Sequence, residues 1–187
     1  MTILSNEDIR RELQEGQLEM EGFHDECMRP CSYLLRLSPA ILVRTGAPAT
    51  VDTRKTDTSD LYESAVIGEN GYAVHPNTLI LAKSVERIRL GSSLFGELSV
   101  LSCYARIGLS LNLGSNHVAA TYGADRPSIV TFEIVNVSRD VIVLYPGVKF
   151  CHLRLGRLVT PASISYRGIY ASGNVITPSN FDRKPAR

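Results

Sequence analysis

Between Thr78 and Leu155 the chain keeps producing short apolar runs, rich in β-branched residues, with little sequence between several of them. Thr78–Ala82, Glu97–Val100, Ile129–Val137, Val141–Tyr145 and Lys149–Leu155 read as strands. Ser138-Arg-Asp140 and Tyr145-Pro-Gly-Val148 read as the compact turns between the last three. Parallel strands need a crossover of roughly a dozen residues or more, whereas antiparallel strands join through tight turns. The pattern therefore predicts a mainly β fold, an antiparallel barrel or sandwich rather than a parallel α/β sheet. Upstream, Ser32–Val43 reads as a strand or two, interrupted at Pro39. Residues 44 to 71 are polar and rich in turn formers, which predicts a long surface excursion with room for short strands.

One helix is marked at the start. Ser5 and Asp8 have capping-box spacing, Leu4 and Ile9 sit at staple positions, and Gly16 supplies a stop, which predicts a helix over about Asn6 to Glu15. Its Ile9 and Leu13 share one face for packing. A length of 187 residues fits a single domain. Twenty basic against nineteen acidic residues, net charge +1, argue against a broad nucleic-acid surface. The apolar runs are too short to span a bilayer, and the acidic start predicts no secretory leader. Four cysteines are too few for a disulfide scaffold in a chain of 187 residues, so a reduced, cytoplasmic domain is expected. The tail from Ile176 is polar and ends in the basic run Arg183–Arg187.

Three features bear on chemistry. The first is weak: His24, Cys27 and Cys31 lie close together, but a zinc site needs three or four clustered ligands, and ordinary thiols are the plainer reading. Cys31, Cys103 and Cys151 are expected to be packing thiols, and His75 and His152 structural. The second is Leu101-Ser-Cys-Tyr-Ala-Arg-Ile-Gly-Leu109, where Ser102 can cap a short helix that Gly108 closes, with Arg106 one turn on. Taken alone, a capping serine and a solvated arginine are the plainer reading. The third is Glu133, in the middle of the apolar strand Ile129–Val137, on the same pleat face as Thr131 and Val135. Either it faces solvent, or it is buried and needs a cation or a proton, as an acid–base site would supply.

Taken in order along the chain, these segments resemble the dCTP deaminase branch of the trimeric dUTPase superfamily. Leu4–Arg11 resembles the family's opening helix, Pro30–Leu37 its Pro-Ala-Ser-x-Asp-Leu-Arg-Leu strand, and Tyr72–Ala82 the segment leading into its barrel. Leu101–Leu109 is similar to the Arg-Ser-Ser-x-x-Arg-x-Gly-Leu motif, Ile129–Asn136 to the strand of the catalytic glutamate, and Val141–Lys149 to the hairpin after it. Tyr170 and Thr177-Pro-Ser179 match the C-terminal arm in spacing.

The resemblance implies a dUTPase-like distorted antiparallel β-barrel with a short N-terminal helix and a short active-site helix. It implies one domain over 1–187, an arm from about residue 164, and a homotrimer with sites between subunits. The activity implied is hydrolytic deamination without a metal, magnesium entering only alongside a phosphorylated substrate. Glu133 would activate water and shuttle protons, Ser102 would hold the water and departing amine, Arg106 would orient Glu133, and the Ala120 carbonyl would bind the same water. His117-Val-Ala-Ala-Thr121 is similar to the family's His-Val-Thr-Ala-His loop, so His117, Val118 and Thr121 are candidate substrate contacts, as are Asp125, Tyr166 and Tyr170.

The departures cluster on phosphate binding. Leu101 stands where the motif has arginine and Cys103 where it has its second serine. Ile169–Asn174 lacks the arm's basic residue and glutamines, and Tyr122–Pro127 replaces the Ile-Asp-Pro-Gly turn that binds the sugar. Leu34 stands for an aspartate and reads as structural. A triphosphate carries about four negative charges and is held by Arg, Lys and backbone N–H groups. The expected substrate is therefore a cytosine nucleotide or nucleoside other than the plain triphosphate, unless Arg167 and the basic tail restore the lost contacts. Two rivals stand beside it: a dUTPase-like diphosphohydrolase, for which only Asp125 could activate water, and a non-catalytic regulatory trimer.

Overall fold

The computed structural model describes residues 2–46, 49–112, 114–171 and 173–181. Its elements run in the order β1 (Thr2–Ile3), α1 (Asn6–Gln14), β2 (Leu18–Glu21), β3 (Met28–Arg29), β4 (Ser32–Arg44), β5 (Tyr62–Val66), β6 (Tyr72–Val74) and β7 (Leu79–Leu90). Then follow β8 (Leu94–Val100), α2 (Ser102–Arg106), β9 (Leu109–Leu111), β10 (His117–Val118), β11 (Ser128–Asn136), β12 (Ile142–Leu144) and β13 (Lys149–Arg157). The main sheet has the order β10-β8-β13-β4-β7-β11-β9, with β1 on β13, β2 on β7, and β3 and β5 on β4. β12 and β6 form a separate ribbon. The pairings within both are antiparallel.

The sheet curls because its long strands change partners. β4 pairs with β13 through Tyr33–Arg36 and with β7 through Leu37 and Ile41–Val43. The register slips between Leu37 and Ile41, at Pro39, which has no N–H to give the ladder. The interruption expected at Pro39 is thus a bulge within one strand of 13 residues. The polar excursion carries β5, paired along the far half of β4. Tyr33, Phe132, Phe150 and Ile9 fill the enclosed core, each wholly buried.

α1 starts as its capping signals predict: the Ser5 hydroxyl accepts from the Asp8 N–H, and the Asp8 carboxylate accepts from the Ser5 N–H at 3.0 Å. α2 differs from expectation. Leu101, in an extended conformation, holds the N-cap position and Ser102 is already the first helical residue. The serine hydroxyl is therefore not the cap. Gly108 ends the turn at φ +90, where a Cβ would lie 2.6 Å from Ser138. Tyr104 anchors α2 on Phe150, centroids 4.9 Å apart, and Phe150 packs on Phe132 at 5.8 Å. Two of the expected packing thiols differ as well: Cys31 and Cys103 are exposed, while Cys27 and Cys151 are buried. Cys31 lies between β3 and β4, where the next residue, Ser32, is the buried one, and Cys103 lies on the outer side of α2 next to the half-buried Tyr104.

One buried charge pair ties β7 to β4. Glu86 is wholly buried; it accepts from Arg36 Nε at 2.6 Å and from the Arg36 N–H at 2.9 Å. Arg36 also donates to the Gly22 carbonyl at 2.7 Å. Removing one partner of a buried pair leaves the other uncompensated, so Arg36→Met is expected to cost about 3–5 kcal/mol in urea unfolding. A loss within about 0.5 kcal/mol, the range of an ordinary surface change, would show that the pair is not sealed from water.

Candidate active site

β11 is two-faced. Phe132, Ile134 and Asn136 point into the core, and Thr131, Glu133 and Val135 are half-buried on the opposite face. Their cross-strand partners on β7 are Lys83, Leu81 and Leu79. Thr131, Glu133, Leu79 and Leu81 form the floor of a cavity of about 640 Å³. The walls come from elsewhere: Tyr62 of β5, Leu98 of β8, Asn112 after β9, the stretch His117–Ala119, Tyr122, and the arm residues Tyr166, Tyr170, Thr177 and Ser179.

Asn112 holds the centre of the floor. Its N–H donates to the Glu133 carbonyl at 2.8 Å, and its Oδ1 accepts from the Glu133 N–H at 3.2 Å. Its Nδ2 also donates to the Ser115 carbonyl at 3.0 Å. Beyond β10 the chain turns at Thr121, φ +64, and at Gly123, where a Cβ would lie 2.6 Å from the Ile88 carbonyl of β7. That close approach brings Tyr122 over the cavity, where its hydroxyl donates to the Ile129 carbonyl. The Tyr122 and Tyr166 rings stack with centroids 6.2 Å apart and planes 26° from parallel.

The arm lies along the same protomer. Gly123 donates to the Ala171 carbonyl at 3.2 Å, Ile129 to the Gly173 carbonyl at 3.1 Å, and Gly173 to the Ser128 hydroxyl at 3.2 Å. Its far end is held by the excursion: Thr58 donates to the Ser179 carbonyl at 3.0 Å and Asn180 to the Asp57 carboxylate at 2.6 Å.

Glu133 is the carboxylic acid in the described lining of this cavity. Its Oε2 is buried and has no hydrogen-bond partner among the described residues, and burial pushes the carboxyl above the ordinary glutamate range. An acid raised in this way holds a proton more readily than a free glutamate and can return it. Of the other sequence candidates, His117, Val118, Tyr166 and Tyr170 border the cavity. Ala120 and Thr121 turn away from it, Ala119 taking the wall position, and the Thr121 hydroxyl accepts from the Tyr166 N–H at 2.6 Å. Asp125 is exposed and off the cavity. Arg167 is exposed, and Arg183–Arg187 lie outside the described residues.

Ser102 and Arg106 do not meet Glu133 within one protomer. Arg106 borders a second, shallower depression with Gly108, Ser138 and Asp140, and Ser102 borders neither. Among the described residues no ion pair or hydrogen bond joins Arg106 to Glu133. Asn112 is the site residue that the sequence did not disclose.

Comparison with known proteins places this arrangement. The chain belongs to the dCTP deaminase-like family, whose model matches residues 3–158. It is 32% identical over 167 residues to the dCTP deaminase, dUMP-forming, of Mycolicibacterium gilvum, covering 88% of this chain and 85% of that one. It is 27% identical over 165 residues to the protein of the same name from Corynebacterium glutamicum, covering 88% and 85%. Among solved structures, the 2'-deoxycytidine 5'-triphosphate deaminase of Agrobacterium tumefaciens shares the fold, with TM-score 0.64 and 16% identity. That match covers 82% of this chain and 46% of the other, less than half of its length.

Among the described residues no helix is long and apolar enough to cross a membrane, and no three His, Cys, Asp or Glu side chains cluster as metal ligands.

Proposed function

We propose that this chain is a metal-independent hydrolytic deaminase acting at the C4 amine of a cytosine nucleotide or nucleoside, as a cytoplasmic homotrimer with sites shared between subunits. The observation that carries the reading is the buried, unpartnered Glu133 Oε2 at the floor of the cavity. Water adds through oxygen to C4 while Glu133 takes its proton and passes it to N3. The carboxylate then takes the proton of the new C4 hydroxyl and gives it to the amine. The C4–N bond breaks, ammonia leaves and a C4 carbonyl remains. Magnesium would accompany only a phosphorylated substrate, and no step at C4 uses it.

Sharing of sites is supported by the surface around Arg106. Ile107, Val141 and Val143 are exposed beside it, and Val137 is 61% exposed. Exposed apolar side chains gathered in this way mark a contact surface. A second copy docked there would carry Arg106 and Ser102 to a neighbour's Glu133. The four unpaired cysteines fit a reducing compartment.

The relatives' printed name describes conversion of dCTP to dUMP, in which the amine and two phosphates are lost. For this chain a substrate with fewer phosphates is favoured. The described lining that a single chain gives the cavity contains no lysine or arginine, the segment a neighbour would bring carries Leu101 in place of the motif's arginine, and a triphosphate needs several cations. The test is ammonia release from cytosine, cytidine, deoxycytidine and their mono-, di- and triphosphates. Release from a compound short of the triphosphate is expected. If every compound stays intact the deaminase reading fails: pyrophosphate release from dUTP would then favour a diphosphohydrolase, and binding without turnover a regulatory trimer.

A further inference from the structure

One cation stands on the floor strands just beyond the cavity lining. Lys83 follows Leu79 and Leu81 on the same face of β7 and pairs across the sheet with Thr131, which borders the cavity. It is half-buried, and among the described residues no carboxylate pairs with it. Its Nζ donates to the Asn174 carbonyl of the arm at 3.1 Å, and an ammonium has two further N–H groups to give. Beside it is a second unmet need: Asn174 Oδ1 is buried without a partner among the described residues. A half-turn of that amide would present its NH₂ in place of the oxygen.

Resting on the deaminase reading, we infer that Lys83 and the Asn174 amide form a subsite for one phosphate group, which makes a cytosine nucleoside monophosphate the substrate class. The geometry fits. Thr131 and Glu133 are one pleat repeat apart, about 7 Å, and the lysine stem adds its own reach. A base with its C4 at Glu133 thus directs its sugar and 5'-phosphate along the floor toward Lys83. The charge fits as well. One ammonium and one amide match a single phosphate and leave a triphosphate's outer groups without a cation. The arm supplies Asn174, so a phosphate bound there would also hold the arm down.

The test compares deoxycytidine with dCMP in the full chain, for wild type, Lys83→Met and Lys83→Arg. The wild type is expected to show a kcat/KM at least tenfold higher for dCMP. Lys83→Met should raise KM for dCMP tenfold or more, leave deoxycytidine turnover within twofold, and be partly rescued by Lys83→Arg. Equal losses on both compounds, or none on dCMP, would overturn the subsite. If no cytosine compound is deaminated, the reading in terms of activity has failed, and the subsite is decided separately by thermal shift. Stabilisation of the wild type by dCMP but not by deoxycytidine, erased in Lys83→Met, would support it; no difference between the two ligands in the wild type would sink it.

Discussion

Replacing Glu133 by glutamine is expected to abolish ammonia release while making the folded protein more stable at neutral pH. The two effects share one cause. Within a single chain the carboxylate has an oxygen buried with no partner among the described residues, so ionising it there is unfavourable. Its folded pKa is raised above the unfolded value of about 4.3. A raised acid favours the folded state while protonated, below the unfolded pKa. That advantage is lost as pH rises through the folded pKa. A neutral amide avoids the penalty, so Glu133→Gln should exceed the wild type by about 1–3 kcal/mol at pH 8. The gap should close near pH 4. In the proposed reaction the same carboxylate moves protons in both halves, so turnover should fall by about 10⁴-fold, the upper end for one acid–base group. Urea titrations at the two pH values and an ammonia assay measure both effects. A variant that still turns over would remove Glu133 from the centre of the chemistry; one that is less stable at pH 8 would show instead that the carboxylate is paired in the assembled protein.

Two inactive variants should repair each other. If Arg106 serves a neighbour's Glu133, then Arg106→Ala and Glu133→Gln each destroy every site in their own homotrimers. Co-refolded in equal amounts, they form mixed trimers in which some sites join a surviving glutamate to a surviving arginine. Random assembly makes about a quarter of the sites complete, since each of the two positions is right half of the time. Activity recovered to about that fraction is expected, against less than about 1% for either variant alone. No recovery in trimers shown by mass to be mixed would mean that Arg106 does not complete a site across the interface. The separation of the two depressions within one protomer would then stand as their true arrangement.

How much could be read beforehand followed how local the cause was. The Ser5–Asp8 cap and the pleat face that Glu133 shares with Thr131 and Val135 depend on spacings of three and two residues, and both appear as expected. The identity of the α2 cap depends on the backbone angles of Leu101, which residue types alone do not specify. β7 runs to Leu90, well beyond the expected Ala82, because its inward face there carries Ser84 and Glu86, which hide the apolar alternation. Glu86 is tolerable inside only because Arg36, 50 residues earlier, meets it. Asn112 escaped for the same reason: it looks like a turn residue, and its task is to hold Glu133, 21 residues later. The left-handed turn at Thr121 divides the stretch His117–Thr121 between wall and support, a division that the residue types alone do not show.

The outer margin of β11 has a consequence of its own. β9 covers only Ile134–Asn136, Asn112 caps Glu133, and the backbone at Ile129 is met by Gly173 of the arm. The arm therefore finishes a sheet border as well as a wall. Bare strand borders recruit other strands. A chain clipped ahead of Tyr170 should do more than lose its substrate: it should become sticky, joining like chains edge to edge, so that solubility and catalysis would vanish together.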